Sequence, residues 1–185
     1  MKIYTRKGDD GTTGLWYGGR RLKSDARIEA YGAIDEAGSA LGLARSLCRA
    51  GRDEVERDLL HLQRDLFVAG AELAAAPEAA GRLEDGVSRI TTEMVAGLEP
   101  IIDRYMERVD LPPKFVIPGG TELSARLDVA RAAVRRSERR VAQLKDSGDL
   151  ADDTVLTYLN RLSDAVYAMA RFADEPDPEL FEGRG

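Results

Sequence analysis

The chain has 185 residues, 43% apolar and 32% charged, with a formal net charge of −6 at pH 7. That size suits one ordinary domain able to bury a core without disulfides or a structural metal, and the mix excludes both a disordered and a membrane-embedded chain. The acidic balance argues against binding a nucleic-acid backbone non-specifically, and no apolar run approaches the roughly 20 residues of a bilayer span.

The N-terminal MKIYTRKGDD meets charge and glycine before any signal-peptide core could form, so the expectation is a cytoplasmic protein with neither nucleic acid nor membrane as partner. Residues 1–23 carry Gly8, Gly11, Gly14, Gly18 and Gly19 among Thr, Asp and Arg, a composition that breaks helices and predicts an ordered loop. A first helix is expected over about 24–48 through Ile28, Ile34, Leu41 and Leu47, and it ends on the single cysteine, Cys48, which reads as a small apolar residue. The second, about 53–76, is the clearest, because Val55, Leu59, Leu62, Leu66, Ala69 and Leu73 follow steps of four and three. Residues 75–86 read as a connection. A third helix is expected over about 88–108, with Pro100 as a candidate kink. The prolines and paired glycines of DLPPKFVIPGGTE then stop it, and Thr121 starts a fourth with its seam on Leu123, Leu127, Ala130, Val134, Ser137, Val141 and Leu144. A fifth follows over about 153–173, and the tail DEPDPELFEGRG, with its prolines and acids, is expected to be flexible or laid over a neighbour. The fold class predicted is all-α, a five-helix up-and-down bundle over 24–174, in one domain with a loop over 1–23 and a tail over 175–185.

A bundle of this size invites a ferritin-like di-metal site, but the sequence has one histidine, His61, and no Glu-x-x-His, so no protein metal site is expected and His61 reads as a surface or interface residue. The loop's glycines, threonines and cations could converge on an anion, or form a solvated arm; it is neither a Walker loop nor a dinucleotide fingerprint. On the fourth helix, Arg131, Arg135 and Glu138 lie at i, i+4 and i+7 beside the apolar seam, with Arg136, Arg139 and Arg140 adding charge. Either an anion such as a triphosphate pairs with them, or they form a salt-bridged surface face. Asn160, Asp164, Tyr167 and Arg171 make a polar stripe on the fifth helix, fitted to a task or to an interhelical network.

The blocks TRKGDDGTTGL and GRRLKSD in the loop, then RIEAYGAIDE, QRDLFVAGAELA, KFVIPGG, LDVARAAVRRSERR and LNRLSDAVYAMAR, follow one another along nearly the whole chain. Their order and spacing resemble the PduO-type ATP:cob(I)alamin (corrinoid) adenosyltransferases. That resemblance implies a homotrimer with active sites at subunit interfaces, where Co(I) attacks the 5′ carbon of ATP to give adenosylcobalamin and triphosphate. Thr5, Arg6, Lys7, Gly8, Thr13 and Lys23 would hold ATP together with Arg135, Arg136, Glu138, Arg139 and Asn160. Mg²⁺ would accompany the triphosphate, with K⁺ a further companion ion. Asp35 and Arg131 would form an ion pair across the interface, Arg135 would stabilise the transferring ATP, Phe115 would crowd the lower face of the corrin, and Phe67 and Tyr167 would line the cobalamin pocket. An electron-donating reductase and an adenosylcobalamin-dependent acceptor enzyme are the implied partners. Three positions depart from the family pattern: Asp128 stands where His is frequent, Arg6 where Lys is, and Tyr167 where Phe is. The competing expectations are a helical module that binds ATP or cobalamin without turnover, and a purely structural bundle.

Overall fold

The apolar seams produce five α-helices in the computed structural model, which describes residues 2–48, 53–174, 176 and 178–184. They are α1 (Ala26–Arg45), α2 (Asp53–Ala74), α3 (Thr92–Met106), α4 (Glu122–Asp146) and α5 (Thr154–Phe172). Each opens or closes where local chemistry dictates. Asp25 caps α1 by accepting the Arg27 N–H, and Thr121 and Ser124 cap α4 reciprocally, satisfying backbone donors that the first turn leaves free.

The helices alternate in direction. Ser137 on α4 donates to the Ala33 carbonyl of α1 at 2.7 Å, and Arg27 near the start of α1 reaches Asp149 just beyond α4, so these two run antiparallel. Thr121 before α4 donates to the Ala173 carbonyl after α5, while Glu138 meets Asn160 nearer the other end. α1 packs on both α2 and α4, α4 on α5, and α5 on α3. Arg104 and Tyr105 of α3 both reach Asp58 of α2, at 2.5 and 2.6 Å, which closes the ring. The core inside it is apolar, with Leu41, Leu59, Leu62, Leu127, Val134, Leu159 and Met169 fully enclosed, each such side chain contributing about 1.5–3 kcal/mol. Tyr158 adds a buried polar contact, donating to Asp65 at 2.9 Å, and burial pushes both groups' pKa values up.

Three segments differ from the expectation. The N-terminal loop contains a two-stranded antiparallel hairpin, β1 (Thr12–Gly14) with β2 (Arg20–Leu22). The connection after α2 holds a 3₁₀ turn, Pro77–Arg82. α3 starts at Thr92 rather than near 88, because Thr91 caps it by accepting the Met94 N–H, and Ile90 ahead of the cap donates its own N–H to the Glu72 carboxylate at 2.8 Å.

Burial pushes the Glu72 pKa up from 4.5 to about 7 against the opposing effect of that N–H bond. The sign follows from linkage: between about pH 4.5 and 7 the unfolded chain releases this proton while the folded chain keeps it, so stability falls across that window and not above it. Glu72→Gln keeps an acceptor for Ile90 and removes the titration. It should nearly match the parent at pH 4.5 and exceed it at pH 8 in urea unfolding by about 2 kcal/mol, the roughly 3.4 kcal/mol of the full shift reduced by solvent screening of a partly exposed carboxyl; an advantage independent of pH would refute the assignment.

Candidate active site

The hairpin is built by its polar side chains. Asp10 accepts from the Thr12 N–H at 2.9 Å and the Thr12 hydroxyl at 2.7 Å, contacts that hold its carboxyl below the usual range. Arg20 donates from Nε to the Thr12 hydroxyl at 2.9 Å and from Nη2 to the Lys7 carbonyl. Gly8 lies where a Cβ would stand 3.2 Å from both Lys23 Nζ and the Thr12 carbonyl, so a side chain there would displace the Lys23 ammonium. Thr13 pairs with Arg21 across the ladder. Trp16 fastens the hairpin to the end of α2, donating to Ala74 and accepting from Ala76. Thr5, Arg6 and Lys7 remain exposed, with Arg6 in the left-handed region at φ 60° and its guanidinium 5.7 Å from the Tyr4 ring centre.

A second cationic surface lies on α4 and α5. Arg135, Glu138, Arg139 and Ala142 face Leu156, Thr157 and Asn160 around an open recess of about 510 Å³. Asn160 Nδ2 donates to Glu138 Oε1 at 2.9 Å, fixing the one carboxylate in the recess. Arg135 and Arg139, one turn apart and exposed, make no hydrogen bond or ion pair among the described residues. Two unneutralised guanidinium forks beside a fixed amide are suited to a chain of phosphates, which offers bidentate, charge-assisted bonds. Arg136 lies elsewhere, paired with Glu36 of α1, and Arg140 stands 3.9 Å from Glu29. The structure therefore brings Arg135, Glu138, Arg139 and Asn160 together and leaves Arg136 outside. None of Thr5, Arg6, Lys7, Gly8, Thr13 or Lys23 lines the recess.

The residues assigned to the corrin are also distributed. Phe67 is 78% exposed on the wall of a mainly apolar hollow of about 420 Å³ between α1 and α2, which Asp35, Tyr31 and Gln63 also line. Phe115 is 83% exposed in the segment before α4. The tail, expected to be flexible or laid over a neighbour, pairs with that segment over residues 179–182. Phe181 donates its N–H to the Phe115 carbonyl and Ile117 donates to Glu179, both at 2.8 Å, while Lys114 and Glu182 form an ion pair at 2.6 Å. The ordering comes from backbone groups of 114–117 that need partners and find them in the tail. Tyr167 lies half-buried between two guanidinium groups, Arg131 at 5.6 Å and Arg171 at 5.4 Å from the ring centre.

The polar stripe of α5 thus divides: Asn160 turns to the recess, Asp164 stands 4.0 Å from Arg161, and Arg171 is buried against Asp128 at 2.5 Å. At Arg171 the stripe takes the interhelical-network alternative, with Asp128 of α4 as a partner that the spacing on α5 alone does not name. Asp35 makes no hydrogen bond or ion pair among the described residues, and Arg131 stands 3.7 Å from Asp128, so the two lie on different helix pairs. His61 is on the surface, 3.6 Å from Asp65. No described helix is long and apolar enough to cross a membrane.

The chain as a whole is similar to proteins of known activity. A corrinoid adenosyltransferase of Citrobacter freundii is 42% identical over 179 residues, covering 97% of this chain and 98% of that protein. Another, of Bacillus subtilis, is 42% identical over 173 residues, covering 92% of this chain and 86% of that one. The fold matches that of a variant PduO-type ATP:corrinoid adenosyltransferase from Lactobacillus reuteri complexed with cobalamin and ATP, with a TM-score of 0.89 at 34% identity over 98% of this chain and 97% of that one. The sequence profile of cobalamin adenosyltransferases spans residues 3–173, from the hairpin to the end of α5, and with it the chain belongs to the PduO-type cobalamin adenosyltransferase family.

Proposed function

We propose that this chain transfers the 5′-deoxyadenosyl group of ATP to Co(I) of cob(I)alamin, releasing triphosphate. The observation that carries this reading is the pair of unneutralised guanidinium groups, Arg135 and Arg139, beside the Asn160–Glu138 contact. Co(I) supplies the electron pair that forms the Co–C bond, the C5′–O bond breaks, and that bond's pair leaves on triphosphate. A nucleophile this strong needs no general base, so the protein's work is to align the partners and stabilise charge on the leaving group. Arg135 and Arg139 do the latter, and the exposed Thr5, Arg6, Lys7 and Lys23, with Gly8 and Thr13, grip the phosphates from the other side; Arg136 joins them only by releasing Glu36.

The hairpin and the α4/α5 recess do not share a wall within one chain, and Asp35 and Arg131 do not meet within it. Both facts suit a homotrimer in which one subunit's loop covers a neighbour's recess and Asp35 pairs with Arg131 across the interface. Glu138, the single carboxylate in the recess, fits an ion that arrives coordinated by the triphosphate better than a resident metal. Mg²⁺ held in this way would neutralise phosphate charge, and K⁺ is a further candidate ion. Phe67, Phe115 and Tyr167 are assigned to the corrin. Cytoplasmic location, a reductase that supplies Co(I) and an acceptor enzyme for the product complete the reading.

The test is direct: incubate the protein with ATP, Mg²⁺ and chemically reduced cobalamin, and follow the absorbance change to adenosylcobalamin along with triphosphate release. Stoichiometric formation of both products is expected. ATP binding without either product would instead establish a binding module.

A further inference from the structure

We propose that Asp128 is a positioning residue for the reaction, fixing Arg131 from the inside of the bundle so that its outer edge faces the neighbouring subunit. The inference rests on the interface pairing of Asp35 with Arg131 described above, and goes beyond it by assigning what orients Arg131. Asp128 and Arg171 are buried, with side chains 8% and 4% exposed, and Asp128 Oδ2 stands 2.5 Å from Arg171 Nη2. Arg171 is also 3.5 Å from Asp174, so two carboxylates surround it and its position is overdetermined. With Oδ2 engaged there, Asp128 Oδ1 is turned to Arg131 Nε at 3.7 Å, an electrostatic contact too long for a hydrogen bond. That Nε is buried and has no hydrogen-bond partner among the described residues.

Tyr167 supplies the second constraint. Its ring carries the Arg131 guanidinium at 5.6 Å and the Arg171 guanidinium at 5.4 Å, within the range of cation–π attraction. Two cations near one ring would repel, and Asp128 lies where it offsets the charge of both. Arg131 is therefore held along its Nε edge by a carboxylate and an aromatic face, while its two Nη atoms make no hydrogen bond among the described residues. A guanidinium is planar, so fixing one edge fixes the direction of the other. An uncharged Asp128 would leave Arg131 free to swing and Arg171 less fully neutralised.

A double-mutant cycle separates this role from simple neutralisation of Arg171. Asp128→Asn, Arg131→Ala and the double variant of the full chain are assayed for kcat/KM with chemically reduced cobalamin at saturating ATP, for KM of ATP, and for melting temperature. Asp128→Asn should lower kcat/KM for cob(I)alamin by about tenfold, the change that about 1.4 kcal/mol produces, with KM for ATP nearly unchanged. In the Arg131→Ala background the same substitution should cost no further activity, although the melting temperature still falls. Equal losses in both backgrounds would overturn the proposal and leave Asp128 as a partner of Arg171 alone. A silent Arg131→Ala would overturn the interface pairing and the proposal together, whereas a parent protein without turnover would overturn the assigned reaction. Should Asp128→Asn fail to fold, Asp128→Asn combined with Arg171→Gln removes both buried charges, and the same coupling to Arg131 is expected.

Discussion

Arg135→Ala should lower adenosyl transfer from chemically reduced cobalamin by about 10²- to 10³-fold, the range seen when one preorganised donor to developing charge is removed. The size follows from its surroundings. Arg135 is exposed in the recess and has no protein anion to neutralise it among the described residues, so its charge is available to the departing triphosphate. Its removal also orphans nothing: no carboxylate is left buried, and the Leu127, Val134 and Val141 seam on the core side of α4 is untouched. The melting transition should therefore move little, by about 0.5 kcal/mol or less in stability. Arg135→Lys separates charge from geometry. It keeps the cation but loses the planar fork, and an intermediate loss of about tenfold is expected if bidentate contact matters. Initial rates with Co(I) and a thermal melt on the same preparations make the comparison. Full turnover in a folded Arg135→Ala protein would remove the leaving-group role from this residue.

What the sequence made legible was whatever depends on neighbours three and four residues away. The α2 seam from Val55 to Leu73 lies at its expected depth, and the Thr121 cap opens α4 as expected, since both signals are local. The hairpin was not legible because Thr12-Thr13-Gly14 and Arg20-Arg21-Leu22 lack the apolar alternation of a half-buried strand; their pairing depends on Asp10 and Arg20 bridging across the turn. The prolines and acids of the tail left open whether it is flexible or laid over a neighbour, because the order of its described residues comes from a partner segment more than 60 residues earlier in the chain. Among site residues, Arg135, Glu138 and Asn160 share a recess, as the stripes of α4 and α5 imply. Arg136 has the same chemistry and a neighbouring position, yet a rotation of 100° about the helix delivers it to Glu36 instead. Residue type and spacing identify the cations. Only the packing of α1 on α4 decides which of them is already neutralised.

Phe115→Ala should distinguish reduction of cobalt from transfer to it. Phe115 is 83% exposed, so its side chain adds little to the core, and its backbone is held by the tail through the Phe181 N–H. Alanine keeps that hydrogen bond and deletes only the projecting ring. If the ring crowds the lower face of the corrin, it excludes an axial ligand from cobalt, and an unligated Co(II) accepts an electron more readily because the ligand's donation no longer stabilises the oxidised state. The variant should then lose about a hundredfold when assayed from Co(II) with a reductant, equivalent to about 2.7 kcal/mol of barrier, and far less when given Co(I). Phe115→Leu, which keeps apolar bulk without the ring, should lie nearer the parent. The electron paramagnetic resonance spectrum of bound cob(II)alamin reports axial ligation directly: a ligand-free signal is expected for the parent and a ligated one for Phe115→Ala. Equal losses from Co(I) and Co(II), with unchanged ligation, would mean that Phe115 only adds contact area for the corrin. Unequal losses would place reduction and transfer under different residues: an apolar ring that makes Co(I) accessible and, on another surface, the arginines that make triphosphate a good leaving group.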